Sequence, residues 1–203
     1  MNSWRNWERG WILLGAFLLL AAAYIWVDEA YVPDLSGRWI SGGCETLESQ
    51  SGGVSRLTRD YVIGDDAWHL DLTFFDDEDC AKKSFALGVD GRYDLGAKSL
   101  EVAGATQARF SMERLKLTAY TDEMASLFRG GKCGVGPWLI GVGQDVSRNG
   151  CLQGIPSALS CPAEYDLVRR RGDELWFGDR SRSLCLPNVY PTQLGDAPVL
   201  KQE

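Results

Sequence analysis

The six cysteines are the residues of this chain whose spacing says most about its chemistry. They are Cys44, Cys80, Cys133, Cys151, Cys161 and Cys185. No two of them form the C-x-x-C pair that is typical of zinc sites, and His69 is the only histidine. An even number of cysteines without metal-ligand spacing is typical of disulfides formed in an oxidising compartment. The sequence therefore predicts three disulfides, no metal site and no cofactor.

Few residues support a catalytic role. With a single histidine and no free thiol expected, neither a Ser-His-Asp nor a Cys-His arrangement is easily assembled. A pair of carboxylates stays open, because acidic residues are abundant, but no pair stands out. Residues 76–79, Asp-Asp-Glu-Asp, could hold calcium, yet a solvated acidic turn is commoner and the spacing is not that of an EF-hand. We therefore interpret the protein as a binding module and not as an enzyme.

The charge balance limits the kinds of partner. The chain has 28 acidic and 21 basic residues and a net charge of −7. A nucleic-acid partner is disfavoured, because the phosphate backbone attracts basic surfaces. The same sign disfavours electrostatic docking onto anionic lipid headgroups. The composition therefore indicates neither nucleic acid nor an anionic membrane surface as a charge-driven partner.

Residues that could bind an apolar ligand recur with the two-residue period of β-strands. Residues 85–89 and 138–142 alternate in this way, and Asp90-Gly91 predicts a hairpin turn after the first of them. The clearest alternation lies in residues 68–74, which predict a strand with one apolar face and one solvent-exposed face, here called the wet face. The apolar face presents Trp68, Leu70, Leu72 and Phe74, and the wet face presents His69, Asp71 and Thr73.

Two irregular features interrupt the strand pattern. The apolar residues change phase between Met112 and Leu115, which predicts a β-bulge at Glu113-Arg114. One short helix is indicated, with Thr121 as its cap and Gly130-Gly131 as its end. Many short strands, frequent glycine and almost no helix predict an all-β fold, an antiparallel sandwich or barrel.

A late hairpin allows one disulfide to be assigned from strand register. Gly172-Asp173 separates two alternating segments and is a favoured hairpin turn. If Arg171 faces Glu174, Cys161 lies opposite Leu184, one residue from Cys185. A bridge between Cys161 and Cys185 then needs only a small irregularity in the ladder. By elimination and order, we favour Cys44 with Cys80 and Cys133 with Cys151.

The first 27 residues predict a membrane anchor. Residues 11–27 are uncharged and mostly apolar, and as a helix they would span about 26 Å, at the lower limit for crossing a bilayer. Arg5 and Arg9 precede this segment and Asp28 follows it, so the positive-inside rule predicts a cytoplasmic N-terminus. We expect residues 1–27 to be a cytoplasmic tip and single-pass anchor, and residues 28–203 to be a periplasmic or extracellular domain.

A cleaved signal peptide is the alternative, because Ala21-Ala22-Ala23 follows an apolar stretch. Trp4, Trp7 and Trp26 would suit the two interfaces of a retained span, so we favour a signal-anchor in the cell membrane. Both interpretations export residues 28–203, which agrees with the disulfides expected there.

Three segments carry a resemblance to a known family. The first joins residues 35–39, Leu-Ser-Gly-Arg-Trp, to Gly43-Cys44-Glu45 and Leu57-Thr58-Arg59, and the second is Asp79-Cys80. The third runs from Trp138 through Gly150-Cys151 and Gly154-Ile155-Pro156 to Leu167. Together they resemble the domain of the adenomatosis polyposis coli down-regulated 1 family, whose animal members are membrane-anchored Wnt inhibitors.

The resemblance implies a lipocalin-like barrel or half-barrel with an apolar pocket for acyl chains. Gly37-x-Trp39 also resembles the lipocalin opening motif, in which the tryptophan closes one end of the barrel. The animal members have a duplicated domain and a C-terminal anchor, whereas this chain is expected to have one domain and an N-terminal anchor. No N-x-Ser/Thr sequon occurs, which favours a bacterial source. Only the lipid-pocket part of the family's function is therefore carried over, without Wnt as a partner.

The candidate pocket residues lie on the predicted inward faces. Arg59 and Gln144 share the phase of apolar neighbours, so each must be satisfied inside, either by a ligand head group or, for Arg59, by a carboxylate such as Asp145. The predicted pocket comprises Trp68, Leu70, Leu72, Phe74, Phe110, Trp138, Ile140, Val142, Arg59 and Gln144, with Tyr165 and Phe177 on the same interior.

Two functions are compatible with this interior, because a barrel of about eight strands can hold one small ligand or be filled by its own side chains. We expect a membrane-anchored binding module with an apolar pocket for a lipid or another hydrophobic ligand. The alternative is a protein–protein adaptor of the cell envelope with a filled barrel.

Overall fold

The computed structural model describes residues 32–48, 53–152 and 154–203. Within them the chain forms an 11-stranded antiparallel sheet and one short helix. The strands are β1 (Gly37–Ser41), β2 (Glu45–Glu48), β3 (Val54–Ile63), β4 (Ala67–Phe75), β5 (Lys83–Lys98), β6 (Thr106–Ser111), β7 (Arg114–Ala119), β8 (Gln144–Asp145), β9 (Ala163–Arg171), β10 (Glu174–Phe177) and β11 (Val199–Gln202), and the helix is α1 (Asp122–Gly130).

Part of the sheet closes into an 8-stranded antiparallel barrel. The order is β1–β3–β4–β5–β6–β9–β10–β11, and β11 then pairs with β1, with Arg38 facing Gln202 and Ser41 facing Val199. A closed ring removes the unpaired edges that an open sheet would expose. The predicted all-β class is confirmed, and of the two predicted architectures the structure shows the barrel.

The two ends of the barrel are built differently. At one end β2 pairs with the first half of β3, and β7 pairs with the first half of β5, so the sheet extends beyond the ring. We call this the extended end. At the opposite end the ring of Trp39 is fully buried, its indole N–H donates to the Leu35 carbonyl at 2.8 Å, and the Arg170 guanidinium lies 5.4 Å above it. We call this the Trp39 end.

Aromatic side chains fill the middle of the barrel. The Tyr61 and Phe177 rings stack with centroids 4.6 Å apart, and Trp68 meets Phe110 edge-on at 5.1 Å. Phe110 also contacts Phe177, which joins the two pairs across the interior. These residues come from strands that alternate between buried and exposed positions, so the inward faces that the sequence predicts for residues 68–74 are confirmed.

The predicted bulge and helix are both present. Between the pairs Tyr93–Phe110 and Asp90–Arg114, β5 has two residues where the facing chain has three, so β6 and β7 are one strand interrupted by a bulge. Helix α1 begins after Thr121, whose hydroxyl accepts a hydrogen bond from the Met124 backbone N–H.

The predicted hairpin turn at Asp90-Gly91 is wrong. Both residues lie inside β5, which runs without interruption from Lys83 to Lys98. A side chain at Gly91 would place its Cβ 1.8 Å from the Ser111 carbonyl oxygen. The glycine is therefore required by the close approach of two backbones beside the bulge, and not by a turn.

The predicted strand at residues 138–142 is also wrong. These residues form turns and irregular backbone, in which Trp138 is buried while Ile140 and Val142 are about half exposed, at 47% and 51%. Gly141 has a φ of +76°, which is incompatible with a strand. The apolar alternation here arose from one anchoring tryptophan and two surface residues.

The predicted anchor, residues 1–27, lies outside the described residues. Among the residues that are described, no helix has the length and apolar character needed to cross a bilayer.

Candidate functional site

A cavity of about 550 Å³ lies at the extended end of the barrel. Its floor is apolar and comes from alternate residues of neighbouring strands. Tyr61 of β3 faces Leu70 of β4, so their side chains point to the same side of the sheet, and Leu72 lies two residues further along the same face. Leu57 and Phe177 complete the floor.

Loops and the start of β2 form the rim of the cavity. Residues 42–47 supply one side, and residues 195–198, immediately before β11, supply another. The disulfide Cys44–Cys80 fastens the first of these segments to the turn between β4 and β5. None of these loop residues has a periodic pattern, so the sequence contained no signal for the rim apart from the cysteine spacing.

Arg59 bridges the two sides of the rim. Its guanidinium donates to the Glu45 carboxylate at 3.0 Å and to the Ala197 carbonyl at 3.0 Å, and its side chain is 12% exposed. The prediction that Arg59 is an inward, satisfied cation is confirmed, but the suggested partner Asp145 is wrong. Asp145 instead accepts a hydrogen bond from the Ser147 backbone N–H on the far side of β7.

A buried polar cluster underlies one side of the cavity. Asp166 is fully buried, and its Oδ1 accepts hydrogen bonds from the backbone N–H groups of Leu167 and Gly178 at 2.7 and 2.9 Å. Its Oδ2 lies 3.7 Å from Arg180, which also pairs with Glu164 at 3.0 Å. Burial raises the pKa of Asp166 to about 7, although the charge of Arg180 opposes this effect.

Tyr61 contributes a second polar group to this side of the cavity. It is 1% exposed, and its hydroxyl has no hydrogen-bond partner among the described residues. Burial raises the pKa of Tyr61, so the hydroxyl stays protonated at neutral pH. No motif or periodicity in the surrounding sequence predicts that Asp166 or Arg180 belongs to the site.

The structure brings only part of the predicted pocket together. Arg59, Leu70 and Leu72 line the cavity, as does Phe177. Trp68 and Phe110 lie in the aromatic filling of the barrel, outside the cavity wall. Tyr165 faces outward, where its ring meets that of Tyr190 at 5.9 Å, so its predicted inward orientation is wrong.

Another part of the predicted pocket belongs to the contact between α1 and the sheet. Phe74 stacks on Phe85 at 4.3 Å, Phe85 meets Phe128 of α1, and Phe128 packs against Trp138 at 4.9 Å. Trp138 also donates its indole N–H to the Cys133 carbonyl at 3.0 Å. These aromatic residues hold the helix in place and do not line the cavity.

Gln144 has a structural role in the loop before β8. Its amide accepts hydrogen bonds from the backbone N–H groups of Val135 and Gly136 and donates to the Gly136 and Pro137 carbonyls. Its four hydrogen bonds are thus made with loop backbone, so the structure does not place it at the cavity.

All three predicted disulfides are present, namely Cys44–Cys80, Cys133–Cys151 and Cys161–Cys185. The predicted facing of Arg171 and Glu174 is also confirmed. The ladder ends, however, at Val168 and Phe177, and beyond it the Tyr165 backbone N–H donates to the Leu184 carbonyl. The intervening loop supplies the irregularity that brings the two cysteines together.

Other chemistry-bearing residues lie outside the cavity. His69 sits on the outer face of β4, with Asp90 2.8 Å from one ring nitrogen and Asp71 3.3 Å from the other. Burial opposes its charge, but the hydrogen bonds to both carboxylates raise the pKa of His69 above its usual value. In the acidic turn, Asp77 accepts backbone hydrogen bonds from Ala81 and Lys82. Within the described ranges, no group of three or more His, Cys, Asp or Glu residues could hold a metal ion.

The sequence also matches a known protein family. Residues 23–133 match the family described as adenomatosis polyposis coli down-regulated 1. The match covers more than half of the chain and includes β3 and β4, which supply most of the cavity floor. The segment from Trp138 to Leu167, whose sequence also resembles this family, lies outside the matched residues.

Proposed function

Because this chain belongs to the adenomatosis polyposis coli down-regulated 1 family, we propose that its barrel is a binding module whose cavity accepts a lipid or another hydrophobic ligand. The observation that supports this most directly is the cavity of about 550 Å³ above an apolar floor. Cavities of this size are typical of small-molecule sites, which combine apolar walls with a few polar groups.

The floor can stabilise an alkyl chain by burial alone. Each methylene transferred from water contributes about 0.8 kcal/mol, so ten methylenes would contribute about 8 kcal/mol before the costs of association. The aromatic filling below the floor limits how deeply a chain can enter. We therefore expect the cavity to hold one chain folded or lying across the extended end.

Substitutions on the two faces of β4 test this function. Leu72→Glu would put a carboxylate on the cavity floor, whereas Thr73→Glu would put the same group on the opposite face of the same strand. We expect Leu72→Glu to reduce binding of N-phenyl-1-naphthylamine, an uncharged apolar fluorescent probe, at least tenfold, and Thr73→Glu to leave it within twofold.

Thermal unfolding of both variants supplies the control, since a folded Leu72→Glu protein is needed for the comparison. If Leu72→Glu does not fold, Leu70→Ala and Leu72→Ala are measured in its place and should each weaken probe binding. Binding unchanged by all the cavity substitutions would contradict the proposed function, as would extracts of the purified protein that contain no lipid.

We further propose that residues 1–27 hold the domain at the outer face of a cell membrane, with the N-terminus inside. The support is the charge asymmetry around an apolar segment, together with three disulfides that need an oxidising compartment. N-terminal sequencing of the protein from the membrane fraction tests this proposal. A mature N-terminus near Tyr24 would show that the segment is a cleaved signal peptide.

A second candidate function, a protein–protein adaptor, is favoured by one exposed loop. Val135, Leu139, Ile140 and Val142 are all exposed on it, and Val135 is 96% exposed. The loop is held in place by Gln144 and by the Cys133–Cys151 disulfide, so the apolar residues are displayed on a fixed backbone. Crosslinking in envelope fractions with a photoreactive residue in place of Leu139 tests this candidate. Crosslinks that disappear with Ile140→Ser would support it.

A further inference from the structure

One residue of the cavity lining has a polar group without a partner among the described residues. Tyr61 lines the cavity, and its buried hydroxyl has no hydrogen-bond partner within the described part of the chain. Leaving a buried hydroxyl unpaired is unfavourable, because the group has lost its hydrogen bonds to water. A ligand that accepts a hydrogen bond from this hydroxyl would remove that cost on binding.

The cations around the cavity are already paired. Arg59 and Arg180 are its basic lining residues. Arg59 is bound to Glu45, and Arg180 is bound to Glu164 and lies near Asp166. A ligand carboxylate would have to compete with these carboxylates for its counter-ion, which would leave another buried charge unpaired.

Acidic groups outnumber the basic ones around the cavity. Glu45, Asp179 and Asp196 line it, while Glu164 and Asp166 lie behind Arg180. Burial also disfavours negative charge in this part of the protein, since it raises the pKa of Asp166 to about 7 although Arg180 opposes the shift. A ligand anion placed here would lose water in the same way and would be repelled by the carboxylates around the cavity.

We infer that the cavity selects ligands whose polar head is uncharged, such as an ester, an amide or an alcohol, and that the Tyr61 hydroxyl donates a hydrogen bond to that head. This inference rests on the proposed function, because it concerns the head group of the same hydrophobic ligand. A free fatty-acid carboxylate is disfavoured by the paired cations and the surplus of acidic residues. An ammonium head has no lone pair and so cannot accept a hydrogen bond from the Tyr61 hydroxyl.

Displacement of N-phenyl-1-naphthylamine from the full-length protein in detergent tests this selectivity. The competitors share a chain of the same length and differ in the head: dodecan-1-ol, methyl dodecanoate and dodecanoate, all at pH 8. The decisive variant is Tyr61→Phe, which keeps the ring and its stacking on Phe177 but removes the hydroxyl. Because that hydroxyl is unpaired, we expect the variant to be at least as stable as the wild type.

We expect Tyr61→Phe to weaken binding of the alcohol and the ester about fivefold, the loss of one net hydrogen bond, and to leave dodecanoate binding unchanged. Each ligand is compared between the wild type and Tyr61→Phe, so differences in hydrophobicity among the three ligands cancel. A fall of the same size for all three ligands would overturn the inference, as would tighter binding of dodecanoate than of the alcohol by the wild type.

A charge variant gives an independent test. Asp196→Asn removes one negative charge from the exposed rim and should raise dodecanoate affinity about threefold without changing that of the alcohol. Asp173→Asn, in the hairpin turn at the Trp39 end, is the matched control and should change neither. Failure of every alkyl competitor to displace the probe would count against the proposed function itself, whereas preference for the carboxylate would overturn only the head-group inference.

Discussion

The carboxyl group of Asp166 shows how a single buried residue can make stability depend on pH. Two backbone N–H groups bind one of its oxygens, while the other oxygen faces Arg180 at 3.7 Å, too far for a hydrogen bond. The hydrogen bonds thus fix the Asp166 side chain, but they replace only part of the hydration that its carboxylate loses on burial. Burial therefore outweighs the favourable contacts, and its pKa rises to about 7.

This shift predicts a stability that falls as the pH rises. Folded Asp166 binds its proton more tightly than unfolded Asp166, whose pKa is near 3.8, so protonation favours the folded state. The stabilisation is complete below about pH 4 and is lost as the pH rises through about 7. Between pH 5.5 and pH 8, the wild type should lose about 2 kcal/mol of its free energy of unfolding relative to Asp166→Asn.

Urea denaturation of the two proteins at several pH values measures this difference. The pKa of His69 is also raised, but His69 is present in both proteins, so its contribution cancels in the comparison. A pH dependence that is equal in the two proteins would show that Asp166 is ionised throughout the range.

At the scale of elements, β5 approaches the bulged strand formed by β6 and β7 more closely at Gly91 than a side chain would allow. A Cβ at Gly91 would lie 1.8 Å from the Ser111 carbonyl oxygen, whereas a Cβ at Gly96 in the same strand would make only ordinary contacts of 3.5 Å or more. The two positions therefore differ in the space available for a side chain. Position 91 has no room for a Cβ atom, whereas position 96 could accept alanine.

Gly91→Ala should lower the free energy of unfolding by about 3 kcal/mol or more, because relieving the overlap requires the backbone of β5 or β6 to move. Gly96→Ala should change it by less than about 1 kcal/mol, since alanine fits there and suits a strand no worse than glycine. Chemical denaturation of both variants makes the comparison. Equal stabilities would mean that the approach of β5 to Ser111 is looser than described.

The elements show where sequence patterns carry information and where they do not. Residues 68–74 were predictable because one face of β4 meets water and the other meets the core, which imposes a period of two. Residues 138–142 imitate the same period, although only Trp138 is buried, against Phe128 of α1. The cavity rim could not be predicted, because Glu45 and Ala197 meet Arg59 only through the tertiary fold.

At the scale of the whole molecule, the three disulfides act on different parts of the domain. Cys44–Cys80 fastens the rim of the cavity, and Cys44 itself lines the cavity. Cys133–Cys151 instead fixes the loop that follows α1. Both bridges constrain the unfolded chain, but only the first one borders the site.

Removing either disulfide should therefore lower stability, but only one of the two removals should also weaken ligand binding. Replacing both cysteines of either pair with serine should lower the free energy of unfolding by about 3–4 kcal/mol. Only Cys44→Ser with Cys80→Ser should also weaken probe binding, by about fivefold or more, because the rim loses its attachment to the β4–β5 turn. Probe titration of the two folded double variants measures this. Equal losses of affinity would mean that the rim does not hold the ligand.

The overall architecture was only partly predictable, because its closure depends on a contact between distant parts of the chain. Alternation identified the strands and the late hairpin, which are local features. Whether these strands form a sandwich or a barrel depends on the pairing of β1 with β11, the first and the last strand of the chain. No local pattern encodes that contact, so the sequence left both architectures open.

The pairing of β1 with β11 also has a consequence for how the domain is made. Strand β11 (Val199–Gln202), which closes the ring, is synthesised after the other strands of the ring. Until β11 has formed, the sheet of earlier strands has two unpaired edges. Folding that depends on contacts so far apart in sequence is slow. If the domain is exported as proposed, this open intermediate forms as the chain emerges from the membrane, where it could pair with a neighbouring copy. The pairing of β1 with β11 is thus where we expect domain swapping and a dependence on chaperones to arise.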